Sequence, residues 1–255
     1  MQERPIICAI LNATPDSFYD GGKYKDLIAH GEHCIKEGAD WLDIGGESTR
    51  PNAQPVSMQE ELDRVIPLIE YFSPLITVSI DTTKPAVAQY ARAAGASILN
   101  DVQGLQNPEM MKISASYPQT IIMHSRGTPQ TMSQLTNYDD IISEVGHFLK
   151  MQAASCLSNR VWIDPGIGFA KTTNQSLSLL KNTDHLVQLG YPVLIGASRK
   201  SFIGHTLNKP EAKDRLSGSL AAVAAGFYGG ARAFRVHDVA ETKDVIDFLM
   251  SLSQF

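Results

Sequence analysis

The chain has 255 residues, 43% of them apolar, with three unpaired-looking cysteines and a formal charge of −5. That is enough apolar content for one large domain with a real core; disorder is excluded, and no apolar run approaches the ~18 residues of a membrane span. An acidic chain without a broad basic face is no dedicated nucleic-acid binder, and Cys8, Cys34 and Cys156 without a C-x-x-C pair suggest neither a disulfide framework nor a zinc site, but a reducing, cytoplasmic setting.

Eight short β-branched runs are expected as strands, at residues 6–11, 41–44, 76–80, 97–99, 120–123, 161–163, 193–195 and 233–236. Helical spacing fills the intervals. His30 and His33 precede the second strand, where a surface pair is expected rather than a metal site. Leu62, Val65, Ile66 and Ile69 form a stripe behind a Ser57-x-x-Glu60 capping box, with Pro67 expected to kink the helix. Val87, Tyr90, Ala91 and Ala94 repeat the pattern between Pro85 and Gly95. Ile141, Ile142, Val145, Phe148 and Leu149 make another stripe. The last helix begins at Asp238-x-x-Glu241 and carries Val245, Ile246, Leu249 and Met250. Strands alternating with helices imply a parallel sheet, and eight units imply a single-domain α/β fold, a (β/α)8 barrel over residues 1–255. An open doubly wound sheet is the alternative, but no G-x-G-x-x-G follows the first strand.

The strands end on polar residues. In chain order these are Asn12, Asp43 leading into Gly45-Gly46-Glu47-Ser48-Thr49-Arg50, Asp81, Asn100-Asp101, His124, Asp164, Ser198-Arg199-Lys200, and Arg235 with His237. In a barrel these ends meet at one mouth, where the active site lies. Arg235 and His237 are two apart, so their side chains point the same way and suit a phosphate or diphosphate. Generic motifs fail. Gly196-Ala197-Ser198-Arg199-Lys200 ends in Lys where a nucleophile elbow needs Gly, and Gly168-Phe169-Ala170-Lys171-Thr172 has Ala170 where a phosphate loop has glycine.

One family fits. Leu11-Asn12-Ala13-Thr14-Pro15-Asp16-Ser17-Phe18-Tyr19-Asp20-Gly21-Gly22 resembles the first signature of dihydropteroate synthases, and Asp43-Ile44-Gly45-Gly46-Glu47-Ser48-Thr49-Arg50-Pro51 resembles the second. The likeness continues through Ser79–Pro85, Asn100-Asp101-Val102, Met123-His124, Asp164–Phe169, Gly196–Ser201 and Arg235–Val239, in family order. Departures are mild: Ala13 where Val is common, Tyr19 where Ser is common, and Ser125-Arg126 in a variable turn.

The resemblance implies condensation of (7,8-dihydropterin-6-yl)methyl diphosphate with p-aminobenzoate to 7,8-dihydropteroate and diphosphate. It implies that Asp81, Asn100, Asp164 and Lys200 bind the pterin edge, with Met123 and Phe169 packing on its faces. Their chemistry agrees: carboxylates accept N–H donors, the amide supplies both polarities, and lysine donates. Arg235 and His237 match the anion site and Asn12 the Mg2+ ligand, one amide oxygen being a plausible protein share for an ion that keeps water and phosphate. Ser201 opens a helix suited to the arylamine carboxylate. Loops 14–23 and 48–55 are expected to close over the site, bringing Phe18, Asp20, Thr49, Arg50 and Pro51 to amine and diphosphate, with Asp20, Thr49, Arg50 and Lys200 closest to the chemistry. A homodimer is the family expectation. A methyltetrahydrofolate-handling module would share the acids but discharge no diphosphate, so Arg235, His237 and Thr49-Arg50-Pro51 favour the synthase; a noncatalytic paralogue would lack polar groups that are all present.

Overall fold

The fold is seen in a computed structural model, which describes residues 3–13, 23–49 and 53–252. Eight strands alternate with helices: β1 (Ile6–Asn12), α1 (Lys23–Glu37), β2 (Trp41–Gly45), α2 (Met58–Phe72), β3 (Thr77–Asp81), α3 (Pro85–Ala93), β4 (Ile98–Asp101), α4 (Pro108–Ser114), β5 (Gln119–Met123), α5 (Ile141–Ser155), β6 (Arg160–Asp164), α6 (Thr173–Lys181), α7 (Thr183–Val187), β7 (Leu194–Ile195), α8 (Ser201–Leu207), α9 (Leu216–Tyr228), β8 (Ala233–Val236) and α10 (Val239–Leu252). All ladders are parallel, in the order β6-β5-β4-β3-β2-β1-β8-β7. The ring is nearly closed by a single parallel bridge, Ile163 to Val193. This is the expected (β/α)8 barrel. The strand ends run one or two residues further than expected at Asn12, Gly45, Asp81, Asp101 and Asp164, so several mouth acids are themselves ladder residues.

Alternation along the strands stacks the interior in layers. Cys8, Trp41, Ile98, Ile121, Trp162, Leu194 and Ala233 form an apolar plug, with Trp41 and Trp162 edge to face at 5.0 Å between ring centroids. Moving two residues along each of these strands gives Ile10, Asp43, Asn100, Met123, Asp164, Gly196 and Arg235. The same face therefore changes from apolar to polar in one step toward the mouth. The opposite faces, including Ile7, Leu42, Ile44, Val78, Ile80, Leu99 and Phe234, pack against the helices in the main core.

Local signals explain the helices. Ser57 and Glu60 form the reciprocal capping box of α2, and Pro85 occupies the first turn of α3, where a missing N–H costs nothing. Gly95 takes a φ of +114°, and a Cβ there would lie 2.4 Å from the Ser73 hydroxyl. α2 carries Pro67 inside it, as expected, and the proline ring removes the N–H that would meet the Asp63 carbonyl. One expectation needs adjustment. Tyr90 is 58% exposed; the buried face of α3 is Val87, Ala88 and Ala91. His33 is an exposed partner of Glu37 at 3.0 Å, and His30 contacts Cys34, so this pair is a surface feature as expected.

Candidate active site

The floor of the mouth is a charge network. Asp43, fully buried on β2, accepts from Arg235 Nε at 2.5 Å and from Asn100 Nδ2 at 3.1 Å. Arg235 Nη2 also donates to Asp81 at 2.8 Å. The guanidinium expected to meet an anion is thus tied to two carboxylates, whose charges outweigh burial and raise its pKa. Burial pushes the Asp81 carboxyl up to about 7, with Arg235 opposing and Asp43 adding to the rise. One oxygen of each acid, Asp43 Oδ1 and Asp81 Oδ1, is buried without a partner. An unmet buried acceptor costs about 1–3 kcal/mol, so these atoms are prepared to receive N–H donors. Asp43 was not among the expected binding residues. Its position two along from the inward Trp41 is the signal that could have found it.

A second group faces the first. Asp164 Oδ1 accepts from Gly166 N at 2.7 Å, and burial raises the Asp164 pKa while Lys200 opposes. A Cβ built on Gly196 would touch Asp164 Oδ2, the Arg235 Cβ and Lys200 Nζ at 3.5–3.8 Å, so these three residues surround one small space. Lys200 Nζ donates to the Ile167 carbonyl at 2.6 Å and lies 4.7 Å from the centre of the Phe169 ring. Burial lowers its pKa to about 8, with Asp164 pulling it back up. Met123 and Phe169 separate here. Met123 is 3% exposed in the floor, whereas half-buried Phe169 turns to a side cavity.

That cavity, about 270 Å3, shares Thr49 and Phe169 with the expected site and is also walled by Lys84, Gln103, Arg126 and Gln130. Asp81, Asp164 and Lys200 are not among its lining residues. The base of the loop bearing Thr49 is fastened: Glu47 accepts from Val56 N at 3.1 Å and from Lys84 at 2.5 Å, and Lys84 also reaches buried Glu61 at 2.6 Å. Asn12 closes β1 opposite Gly45 and is half-buried. His237 Nδ1 contacts Ser198 Oγ at 3.0 Å, and that oxygen also accepts from His237 N at 3.2 Å. Ser201 is exposed at the start of α8. Asp238, expected only to start the last helix, forms a two-pronged ion pair with Arg199. Phe18, Asp20, Arg50 and Pro51 lie outside the described residues.

His124 is not a titrating member of the ring. Burial, with the charges of Lys171 and Arg126, holds its pKa at about 3. Among the described residues no group of three or more His, Cys, Asp or Glu could hold a metal ion, and no helix is long and apolar enough to cross a membrane.

A family model described as "Pterin binding enzyme" matches residues 8–237. A dihydropteroate synthase of Synechocystis sp. is 44% identical over 249 residues, covering 93% of this chain and 86% of that protein. A Xanthomonas albilineans dihydropteroate synthase solved with 4-aminobenzoic acid superposes with a TM-score of 0.92 at 41% identity, covering 99% of this chain and 94% of that one. A Burkholderia cenocepacia dihydropteroate synthase complexed with 7,8-dihydropteroate gives 0.89 at 38% identity, covering 99% and 92%.

Proposed function

Because the chain belongs to the dihydropteroate synthases of the pterin-binding enzyme family, we propose that the polar layer of its barrel is where the two substrates are joined. The chain condenses (7,8-dihydropterin-6-yl)methyl diphosphate with p-aminobenzoate, a transferase step of folate biosynthesis. The observation that carries the site assignment is the pair of partnerless buried carboxylate oxygens, Asp43 Oδ1 and Asp81 Oδ1, beside Asn100. Asn100 gives one amide N–H to Asp43, and in this reading its carbonyl oxygen is offered to the ring. Three acceptors are then offered to the donor-rich amidine edge of a pterin. Asp164 and Lys200, across the same space, meet the remaining ring atoms, the lysine as donor.

The anionic tail is directed away from these acids. His237 and Asn12 stand at the ends of β8 and β1, adjacent strands, and are assigned to the diphosphate side, whereas Arg235 is held in the floor by Asp43 and Asp81. A lone amide oxygen, with no carboxylate cage among the described residues, suits Mg2+ that keeps its phosphate and water ligands. Asn12 would hold the ion there, and the ion's charge would help neutralise the departing oxygen. The C–O bond breaks early in this reading, because the electron-rich reduced ring donates into the methylene carbon; a secondary deuterium effect near unity at that methylene, with chemistry rate-limiting, counts against it. The arylamine nitrogen is neutral near pH 7 and needs placing more than deprotonating. Phe169, Lys200 and Ser201 form its wall, and Phe18, Asp20, Thr49, Arg50 and Pro51 come from the two loops above. The proposal extends to a homodimer in the cytoplasm, the former checked by sedimentation.

A diphosphate-release assay, run with and without p-aminobenzoate and Mg2+, tests the assignment. Release should be stoichiometric with dihydropteroate and should fall on chelation, while binding of 6-hydroxymethyl-7,8-dihydropterin survives chelation. Loss of that binding on chelation would place the metal against the ring and overturn the division between floor and rim.

A further inference from the structure

One buried lysine has no part in this reading. Lys171, in the Gly168–Thr172 run that fails as a phosphate loop, is 8% exposed. Its Nζ meets the Phe169 carbonyl at 2.9 Å, His124 Nδ1 at 3.0 Å and the His124 carbonyl at 3.3 Å. An ammonium has three N–H groups, and here each has an acceptor. Burial pushes its pKa well down, with Asp164 opposing. His124, whose pKa burial holds at about 3, meets the lysine through Nδ1.

The grip falls on a loop that has little freedom. Gly166 approaches the His124 carbonyl so closely that a Cβ would lie 1.9 Å from its oxygen, and Gly166, Gly168 and Ala170 all have positive φ. Lys200 holds the Ile167 carbonyl and Tyr138 the Ala170 carbonyl at 3.0 Å. Phe169 stands between these anchors, with Lys171 bonded to its own carbonyl. We propose that Lys171 is a positioning residue for the arylamine step, fixing Phe169 against Lys200 by tying the Phe169 and His124 carbonyls together. The inference rests on the assignment of Phe169 to the arylamine wall. Lys171 Nζ bonds only to His124 and Phe169, not to the pterin acceptors Asp43, Asp81 and Asn100, and of the pterin residues Asp164 feels its charge.

The test compares KM for p-aminobenzoate with Kd for 6-hydroxymethyl-7,8-dihydropterin in Lys171→Met, Phe169→Ala and the double variant. Lys171→Met should raise KM by about 10-fold and leave Kd within about threefold, since a displaced wall affects the partner it faces. In the Phe169→Ala background the same change should add less than about twofold, because the two residues act as one unit. Should Lys171→Met fail to fold, Lys171→Gln carries the same comparison. Independent, multiplying effects, an unchanged KM, or a Kd that moves as far as KM each overturn the inference. An inert Phe169→Ala removes the wall assignment, and the inference with it.

Discussion

Asp43→Asn is the sharpest probe of the floor. Asparagine keeps one carbonyl oxygen for Arg235, but the charge that holds the guanidinium is gone and only Asp81 remains. Its new amide N–H groups turn toward the place of Asp43 Oδ1, where no acceptor waits, or toward Asn100 Nδ2, itself a donor. Breaking a buried pair by removing one partner costs about 3–5 kcal/mol, and the retained acceptor and second carboxylate bring this near the value of one charged bond, about 2 kcal/mol. For a chain of this length that is a fall in Tm of about 4–8 °C. The substitution also acts on Asp81. Burial, then the Asp43 charge against Arg235, sets that carboxyl at about 7, so losing Asp43 moves it down. The wild type should therefore bind 6-hydroxymethyl-7,8-dihydropterin less well as pH falls through about 7, and the variant should keep its affinity to lower pH. The linkage has the matching sign. A carboxyl whose folded pKa exceeds its ordinary 3.8 takes up protons in the folded state first, so its contribution to stability falls as pH rises between about 4 and 7. In Asp43→Asn that window shrinks from its upper end. Calorimetry at several pH values and titration of the pterin read both effects; an unchanged Tm together with an inflection that stays or moves up would refute the network.

Other outcomes follow from single contacts. Gly166→Ala combines a φ of +66° with a clash on the His124 carbonyl, and urea unfolding should show a loss above about 2 kcal/mol. Lys84→Met leaves Glu61, 1% exposed, without its cation and should destabilise by about 3 kcal/mol, while Lys84→Met with Glu61→Gln should recover part of it. Lys200→Ala should weaken pterin binding, measured calorimetrically. Arg50→Ala should instead slow turnover more than it weakens the pterin alone; full activity in both variants would remove both assignments.

The barrel was legible because its signals are local and repeated: β-branched runs at regular intervals, Pro85 and Gly95 bounding α3, Ser57 and Glu60 capping α2. The acids at the strand ends were legible for the same reason, and Asp81, Asn100, Asp164 and Lys200 do converge. What the sequence hid is pairing. Alternation from Trp41 turns Asp43 inward, but nothing local shows that it pairs with Arg235, and Arg235 read as an anion ligand because its two carboxylate partners are 192 and 154 residues away. Lys171 was hidden differently. Its significance lies in three carbonyl and imidazole acceptors that only the left-handed turns at Gly166, Gly168 and Ala170 bring within reach.

The floor's charge count gives a reason for the division of labour. Asp43, Asp81 and Asp164 face Lys200 and Arg235 in one enclosed space, and Arg235 is already shared between two of the acids. Opposite charges packed this closely leave no net positive field at the floor, and a diphosphate placed there would meet carboxylate oxygens at low dielectric, where repulsion is strong. A neutral ring with N–H donors meets the same oxygens favourably. On the proposed assignment, the anionic group is sorted to the rim by the same acids that would hold the pterin, and once the C–O bond has broken nothing in the floor favours the return of the diphosphate. On the proposed assignment, an arylamine held by Phe169 and Lys200 then needs only to outlast that departure, which would make the rigidity of the loop from Gly166 to Thr172 part of the chemistry and not merely of the fold.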